Sequence, residues 1–163
     1  MAKIRHIALA TNDPVRTAEF YKKAFGFKEV GKTGSPDNPK AIAWGFYLSD
    51  GTLNLAILKF QNVDQLGRGL DYVGLHHFGI LVDDIEDYEK KLEGMGAPCV
   101  MKADPHTANS YYETKFRGPD GVVFDLADTI TVLVYGKVIA SGPPAEIRSS
   151  RAVQEAYLGK LAA

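Results

Sequence analysis

Apolar and polar positions along the chain follow the same plan twice. Residues 3–11 are predicted to form a strand with two buried faces, because both strand faces are apolar from Ile7 to Ala10. Asp13 and Pro14 then favour a helix start, because aspartate can cap the first turn and proline fits its first position. Gly26 ends the apolar stripe of this helix. The elements predicted for the first copy are strand 3–11, helix 14–25 and strands 27–32, 42–49 and 52–59, with Asp50-Gly51 as a hairpin turn.

The second copy follows a polar linker at residues 61–72. Asp84 can cap its helix, and Gly94 and Gly96 end it. The elements predicted here are strand 75–82, helix 85–95 and strands 97–101, 111–117 and 121–127, with a loop at 103–110. Each copy therefore has the order strand, helix and three strands.

Polar residues recur at matching places in the two copies. His6 and His77 lie near the starts of their strands and are 71 residues apart. Asn54 follows His6 by 48 residues, and Asp125 follows His77 by the same distance. This spacing indicates a duplicated unit that carries a duplicated pair of polar positions.

Composition and charge narrow the classes of function. The 163 residues are 45% apolar, which is enough for one domain or for two small modules that share a core. The net charge of −1 argues against nucleic acid or a membrane surface as a partner, and no apolar run reaches the ~18 residues of a membrane span. Cys99 is the only cysteine, which excludes a disulfide framework. Since the N-terminus lacks the apolar stretch of a signal peptide, we expect a cytoplasmic protein.

Five segments carry a family resemblance, and they are His6-Ile7-Ala8-Leu9-Ala10, Ala18-Glu19-Phe20-Tyr21, Phe25-Gly26-Phe27, His76 to Ile85 and Gly118-Pro119-Asp120-Gly121. Over residues 3–128 the chain resembles the vicinal oxygen chelate superfamily of glyoxalases, bleomycin-resistance proteins and extradiol dioxygenases. The resemblance implies an α+β fold in which two βαβββ modules form a glyoxalase-like curved-sheet barrel around a metal or ligand cavity. It places residues 1–128 in one domain, with modules 3–60 and 74–128.

In this family the metal ligands occupy four strand positions, which fall here on His6, Asn54, His77 and Asp125. Two imidazoles and a carboxylate suit a divalent metal such as Zn, Fe, Mn or Ni and leave an open position for substrate. Asn54 departs from the family pattern, which has Glu, Gln or His there. The resemblance also makes Asp125 the candidate catalytic base, since glyoxalase-like enzymes often use a ligand carboxylate in that role.

Some of these residues have a second interpretation. A histidine in a strand is more often hydrogen-bonded in a core than a metal ligand, and this applies to His6 taken alone. Asp125 lies between two apolar neighbours, where an unpaired carboxylate is costly, so it needs a cation, a metal or a hydrogen-bond donor. His76 is expected on the strand face opposite His77, in a structural or supporting role.

Strand parity predicts which side chains line the cavity. Counting outward from a two-residue turn at Asp120-Gly121, alternate residues of the preceding strand face the same way as Asp125. The same count around Asp50-Gly51 places Tyr47 on the strand face of Asn54. The substrate-binding residues predicted in this way are Tyr47, Tyr112, Thr114 and Phe116.

Residues 129–163 lie outside the repeat and form a predicted C-terminal extension. Thr131 to Ala140 are predicted to form a hairpin, and Ser150 can cap a last helix. The extension resembles the C-terminal end of ATP-binding subunits of branched-chain amino-acid ABC transporters. The chain has no phosphate-binding Gly-x-x-x-x-Gly-Lys-Ser/Thr motif, which excludes ATPase activity. We therefore expect the extension to cover a sheet edge or to contact a partner chain, as in a homodimer.

Two functions remain open. One is a glyoxalase-like metalloenzyme, a lyase or isomerase, in which a metal binds vicinal oxygens of a small substrate while a base moves a proton. Extradiol dioxygenation fits less well, because those enzymes have a two-histidine, one-glutamate site on a larger chain. The other function is metal-free binding or sequestering of a small molecule, of the bleomycin-resistance type, in which Asn54 and Asp125 would hydrogen-bond the ligand.

Overall fold

The computed structural model describes residues 2–61, 68–102, 113–128, 130–134, 137–142 and 144–158. Its strands are β1 Lys3–Ala10, β2 Lys28–Thr33, β3 Ala43–Ser49, β4 Asn54–Phe60, β5 Gly74–Leu81, β6 Cys99–Lys102, β7 Thr114–Arg117, β8 Val123–Ala127, β9 Ile130–Val134 and β10 Lys137–Gly142. Its helices are α1 Pro14–Phe25, α2 Ile85–Gly94, α3 Pro144–Ser149 and α4 Arg151–Leu158, with a 3-10 turn at Pro119–Gly121. The predicted α+β class, with two modules of a strand, a helix and three strands, is confirmed.

The first eight strands form one curved, unclosed sheet whose order mirrors the sequence repeat. The order is β2-β3-β4-β1-β5-β8-β7-β6, and β1 pairs with β5 antiparallel at its centre. β1 also pairs in parallel with β4, as β5 does with β8. The first strands of the two modules are therefore neighbours, and equivalent residues lie on either side of a pseudo-two-fold axis. The sheet is open rather than closed into a barrel, because β2 and β6 form its two edges.

The helices α1 and α2 cover one face of this sheet. Asp13 and Asp84 cap them as predicted, each accepting a backbone N–H from the first turn at 2.9 and 3.0 Å respectively. The buried apolar residues between helix and sheet are Ala18, Leu48 and Ile57 under α1, and Val82, Ile85, Phe116 and Leu126 under α2. The opposite face of the sheet carries the functional side chains.

The pairing of β1 with β5 is interrupted at two equivalent places. The register shifts at Arg5 on β1 and again at His76 on β5, so each is an extra residue in a bulge. Each bulge directly precedes the histidine of its module, His6 or His77. Because a bulge redirects side chains, these two bulges determine where the side chains of Arg5 and His76 lie relative to the histidines that follow them.

The C-terminal extension folds on itself in the part that the structure describes. β9 and β10 form a separate two-stranded sheet, and α3 and α4 contact this hairpin and each other. Val132 and Ile147 are buried there. The predicted hairpin and last helix are present. No helix within the described ranges combines the length and apolar character needed to span a bilayer.

Candidate metal centre

Three of the four predicted ligands meet on the face of the sheet away from the helices. Nitrogen atoms of His6 and His77 and a carboxylate oxygen of Asp125 lie within 4.8 Å of one another. The Nε2 atoms of both histidines are 3.3 Å from Oδ2 of Asp125. Asp125 is fully buried, and less than a tenth of either histidine is exposed. The cluster is thus a compact set of metal donors shielded from water.

The central strands bring these three residues together. His6 on β1 pairs with Gly79 on β5, which in turn pairs with Asp125 on β8. A Cβ atom on Gly79 would lie 2.6 Å from Oδ1 of Asp125 and would overlap the His6 imidazole. The missing side chain at Gly79 therefore provides the space in which His6 and Asp125 approach each other.

Charged residues that the sequence reasoning missed surround the cluster. Nζ of Lys115 lies 3.0 Å from Oδ2 of Asp125 and 3.3 Å from Oε2 of Glu113. Arg5 forms an ion pair with Glu113, and its Nη2 is 3.6 Å from Oδ1 of Asp125. Two cations thus face two carboxylates at the centre.

Two protein families match different parts of the chain. The family described as the glyoxalase/bleomycin resistance protein/dioxygenase superfamily matches residues 3–126. The chain belongs to this superfamily. A second match, to the branched-chain amino acid ATP-binding cassette transporter family, covers residues 137–163. Both predicted resemblances are therefore confirmed.

Three proteins that resemble this chain share no more than 24% of its residues. A probable chloroplastic lactoylglutathione lyase of Arabidopsis thaliana is 24% identical over 127 residues, which cover 77% of this chain. The match covers 35% of that protein, so this chain spans about a third of its curated relative. A methylmalonyl-CoA epimerase from Streptomyces coelicolor is 24% identical, with a TM-score of 0.60 over 76% of this chain and 94% of that one. A hypothetical protein from Bacillus halodurans is 19% identical, with a TM-score of 0.60 over 77% and 92% of the two chains.

The environment of this superfamily site sets protonation states that suit metal binding. Burial, assisted by the charge of Lys115, lowers the pKa of His77 to about 2. Burial acts to raise the pKa of Asp125, but the hydrogen bond with His6 and the charge of Lys115 outweigh it, so this pKa falls below its ordinary value. Neutral imidazole and ionised carboxylate are the forms that bind metals.

His76 supports the site from the same side as His77, which corrects the prediction that the two side chains face apart. The bulge at His76 brings its Nδ1 to 2.8 Å from Nδ1 of His77, and its ring stacks on Phe60 at 4.3 Å between centroids. Burial lowers the pKa of His76 to about 4, with a contribution from the charge of Arg68. A hydrogen bond between the two Nδ1 atoms fixes the orientation of the His77 ring and leaves its Nε2 directed at Asp125.

Asn54 is not part of the cluster. It pairs with His6 at the start of β4, and its side chain is exposed. The structural counterpart of Asp125 is Ala56, because Ala56 pairs with Ala8 as Asp125 pairs with Gly79. Asn54 lies two residues short of that position, about 6–7 Å along the strand. The equal spacing in sequence misled the assignment, because the connections within the two modules differ in length.

The predicted pocket residues divide between the two faces. Thr114 and Phe116 face the helices, and Phe116 belongs to the core under α2. The prediction for both was wrong, because the β7–β8 connection is longer than two residues and Lys115 pairs with Asp125. Tyr47 does lie on the site face, where it packs against Ala8 and Ala56. Tyr112 lies outside the described residues.

Proposed function

We propose that this protein is a metal-dependent lyase or isomerase of the glyoxalase type that acts on a small substrate bound through vicinal oxygens. The observation that carries the proposal is the equal 3.3 Å separation of both histidine Nε2 atoms from the same Asp125 oxygen. Neighbouring ligands on a four-coordinate metal, with bonds of roughly 2.0–2.1 Å, lie about 3.3 Å apart.

The donor set fits a divalent metal such as Zn, Fe, Mn or Ni. Two imidazoles and one carboxylate, His6, His77 and Asp125, are a common three-ligand set that leaves a position for substrate. The second oxygen of Asp125, Oδ1, is buried and accepts no hydrogen bond from the described residues, although Nη2 of Arg5 lies 3.6 Å away. Its lone pairs therefore remain available to a metal. When bound, the metal would polarise a substrate carbonyl and so acidify the neighbouring C–H bond.

Two carboxylates are available to accept a proton at this site. Asp125 is the base predicted from the family resemblance. Glu113 is the other candidate, since its side chain is partly exposed and is held beside the centre by Arg5 and Lys115. The four charged groups sum to zero, so a bound divalent cation would leave an excess of two positive charges. This excess favours an anionic, oxygen-rich substrate.

Metal analysis and proton exchange together test the proposal. Protein purified without chelators is expected to hold about one transition metal per chain. The loaded protein is expected to exchange the α-proton of a 2-oxo or 2-hydroxy acid, or of an acyl thioester, with solvent deuterium, measured by NMR. With metal supplied in excess, Glu113→Gln is expected to be loaded and to slow the exchange by roughly 100-fold or more. A protein that takes up no metal even on reconstitution would exclude the metalloenzyme.

A metal-free ligand-binding protein is the second candidate, and Lys115 is the observation that favours it. Its ammonium group lies 3.0 Å from the Asp125 oxygen that both histidines approach, and it neutralises that carboxylate without a metal. In that case a small-molecule screen by thermal shift would give ligands that bind equally well with and without a chelator.

We also propose that the extension after Asp128 serves assembly into a homodimer rather than chemistry. A two-stranded hairpin is marginal on its own, and its edges can pair with another strand. Truncation after Asp128 is expected to lower the oligomeric state or the solubility and to leave the metal content unchanged. Size-exclusion chromatography with light scattering measures the first quantity, and elemental analysis measures the second. A truncated protein that assembles normally would contradict the assembly role, and one that loses its metal would place the extension at the centre.

A further inference from the structure

Lys115 contacts the atoms that a metal would contact. It is 8% exposed, and its Nζ lies 3.0 Å from Oδ2 of Asp125 and 3.4 Å from Nε2 of His77. The same oxygen is the point at which His6 and His77 converge. A lysine ammonium ion is a compact point charge on a flexible stem, so it can take the place of a cation at such a site.

The buried carboxylate of Asp125 requires positive charge in every state of the protein. An ionised carboxylate without a counter-charge is strongly destabilising in the interior. Lys115 provides that charge at close range, and Arg5 contributes from 3.6 Å. With Lys115 in place, the centre is electrostatically satisfied before any metal binds.

A metal and the ammonium group of Lys115 cannot share Asp125 without repulsion. A metal bonded to Oδ2 at roughly 2.1 Å would lie within about 5 Å of Nζ at its observed position, where a divalent and a monovalent cation repel. Glu113 offers Nζ another partner, since its Oε2 is already 3.3 Å away. The side chain of Lys115 can therefore turn away from Asp125 and keep its ion pair with Glu113.

We propose that Lys115 is an internal cation that stabilises the metal-free centre and competes with the metal for Asp125. This inference rests on the metal site of the proposed function. It makes metal binding an exchange of cations on one carboxylate, in which Lys115 passes to Glu113. The affinity for metal is then set below the value that His6, His77 and Asp125 alone would reach.

Lys115→Met separates the two roles, because methionine keeps most of the volume and removes the charge. The metal-free variant is expected to melt roughly 5–15 °C lower than the original protein, since Asp125 loses its main counter-charge. Its affinity for Zn²⁺ and Mn²⁺, from titration against a chromophoric chelator, is expected to rise about tenfold or more. Lys115→Gln, with a polar side chain, is expected to move both quantities in the same directions and serves if the methionine variant fails to fold.

Lys90→Met is the matched control, because Lys90 is exposed on α2 and the substitution changes the net charge equally. It is expected to change neither the melting temperature nor the affinity. If the original protein binds metal and the Lys115 variants bind it no more tightly, the competition is excluded while the metal site stands. If only the variants bind metal, the competition is supported and the native metalloenzyme is not. If none of them binds metal, both proposals fail.

Discussion

Replacing His77 with alanine is expected to abolish tight metal binding, and His6→Ala is expected to do the same. Each substitution removes one of the three proposed ligands, and the two that remain, including Asp125, are too few to enclose a metal ion. The loss should be far larger than the roughly 10–100-fold cost of removing a hydrogen bond to a ligand. Titration of the metal-free variants against a chelator of known affinity measures it, and circular dichroism shows whether the fold survives.

His76→Ala is the control that tests the geometry of the bulge. It removes the partner of His77 Nδ1 but no ligand atom, so the affinity should fall by only about 10–100-fold. If His76→Ala abolished binding while His77→Ala retained it, the assignment of these neighbouring residues would be reversed.

Adding a fourth ligand to the proposed metal site is expected to tighten metal binding, by about 100-fold in the double substitution Ala8→Gly and Ala56→Asp. By the pseudo-two-fold axis this pair reproduces Gly79 and Asp125 on the other side of the centre. Ala8→Gly is included because Asp125 reaches His6 only where Gly79 has no Cβ atom. Without metal, the new buried carboxylate should lower the free energy of unfolding by about 3–5 kcal/mol. Chelator titration and chemical denaturation measure the two changes.

Asn54→Asp is the matched control for this experiment. It adds the same charge at the position that sequence spacing suggested, but on an exposed side chain at the start of β4. Affinity and stability should both stay close to those of the original protein. A gain in affinity with Asn54→Asp, and none with the double substitution, would mean that β4 pairs with β1 in a register shifted by two residues.

The parts of this protein that were predictable depend on local or periodic signals. Asp13 and Asp84 cap their helices as expected, because capping is settled within one turn of chain. His6, His77 and Asp125 were found through the internal repeat, and the structure brings them together because the first strands of the two modules are adjacent.

The charged surroundings of the cluster were missed, and they had a weak signal in the sequence. Lys115 lies between two buried neighbours, Thr114 and Phe116, in a short strand. A lysine between two core residues points to the opposite face of the sheet and needs an acidic partner there. Asp125, on the next strand, is such a partner. The register that joins them depends on the length of the turn, which the Asp120-Gly121 pair alone did not reveal.

The two modules, their order of elements and three of the residues at the centre could be predicted from the sequence alone, because apolar periodicity and repeat spacing require no knowledge of long-range contacts. Which side chains face the centre depends instead on how the strands pair in the folded protein. A slip of one residue reverses a strand face, as it did for Thr114 and Phe116, and a bulge redirects a side chain, as it does for His76. Bulges and turn lengths depend on how strands pair across the sheet. The apolar pattern of β4 is the same whether Asn54 or Ala56 is the counterpart of Asp125, and only the pairing of β4 with β1 identifies Ala56.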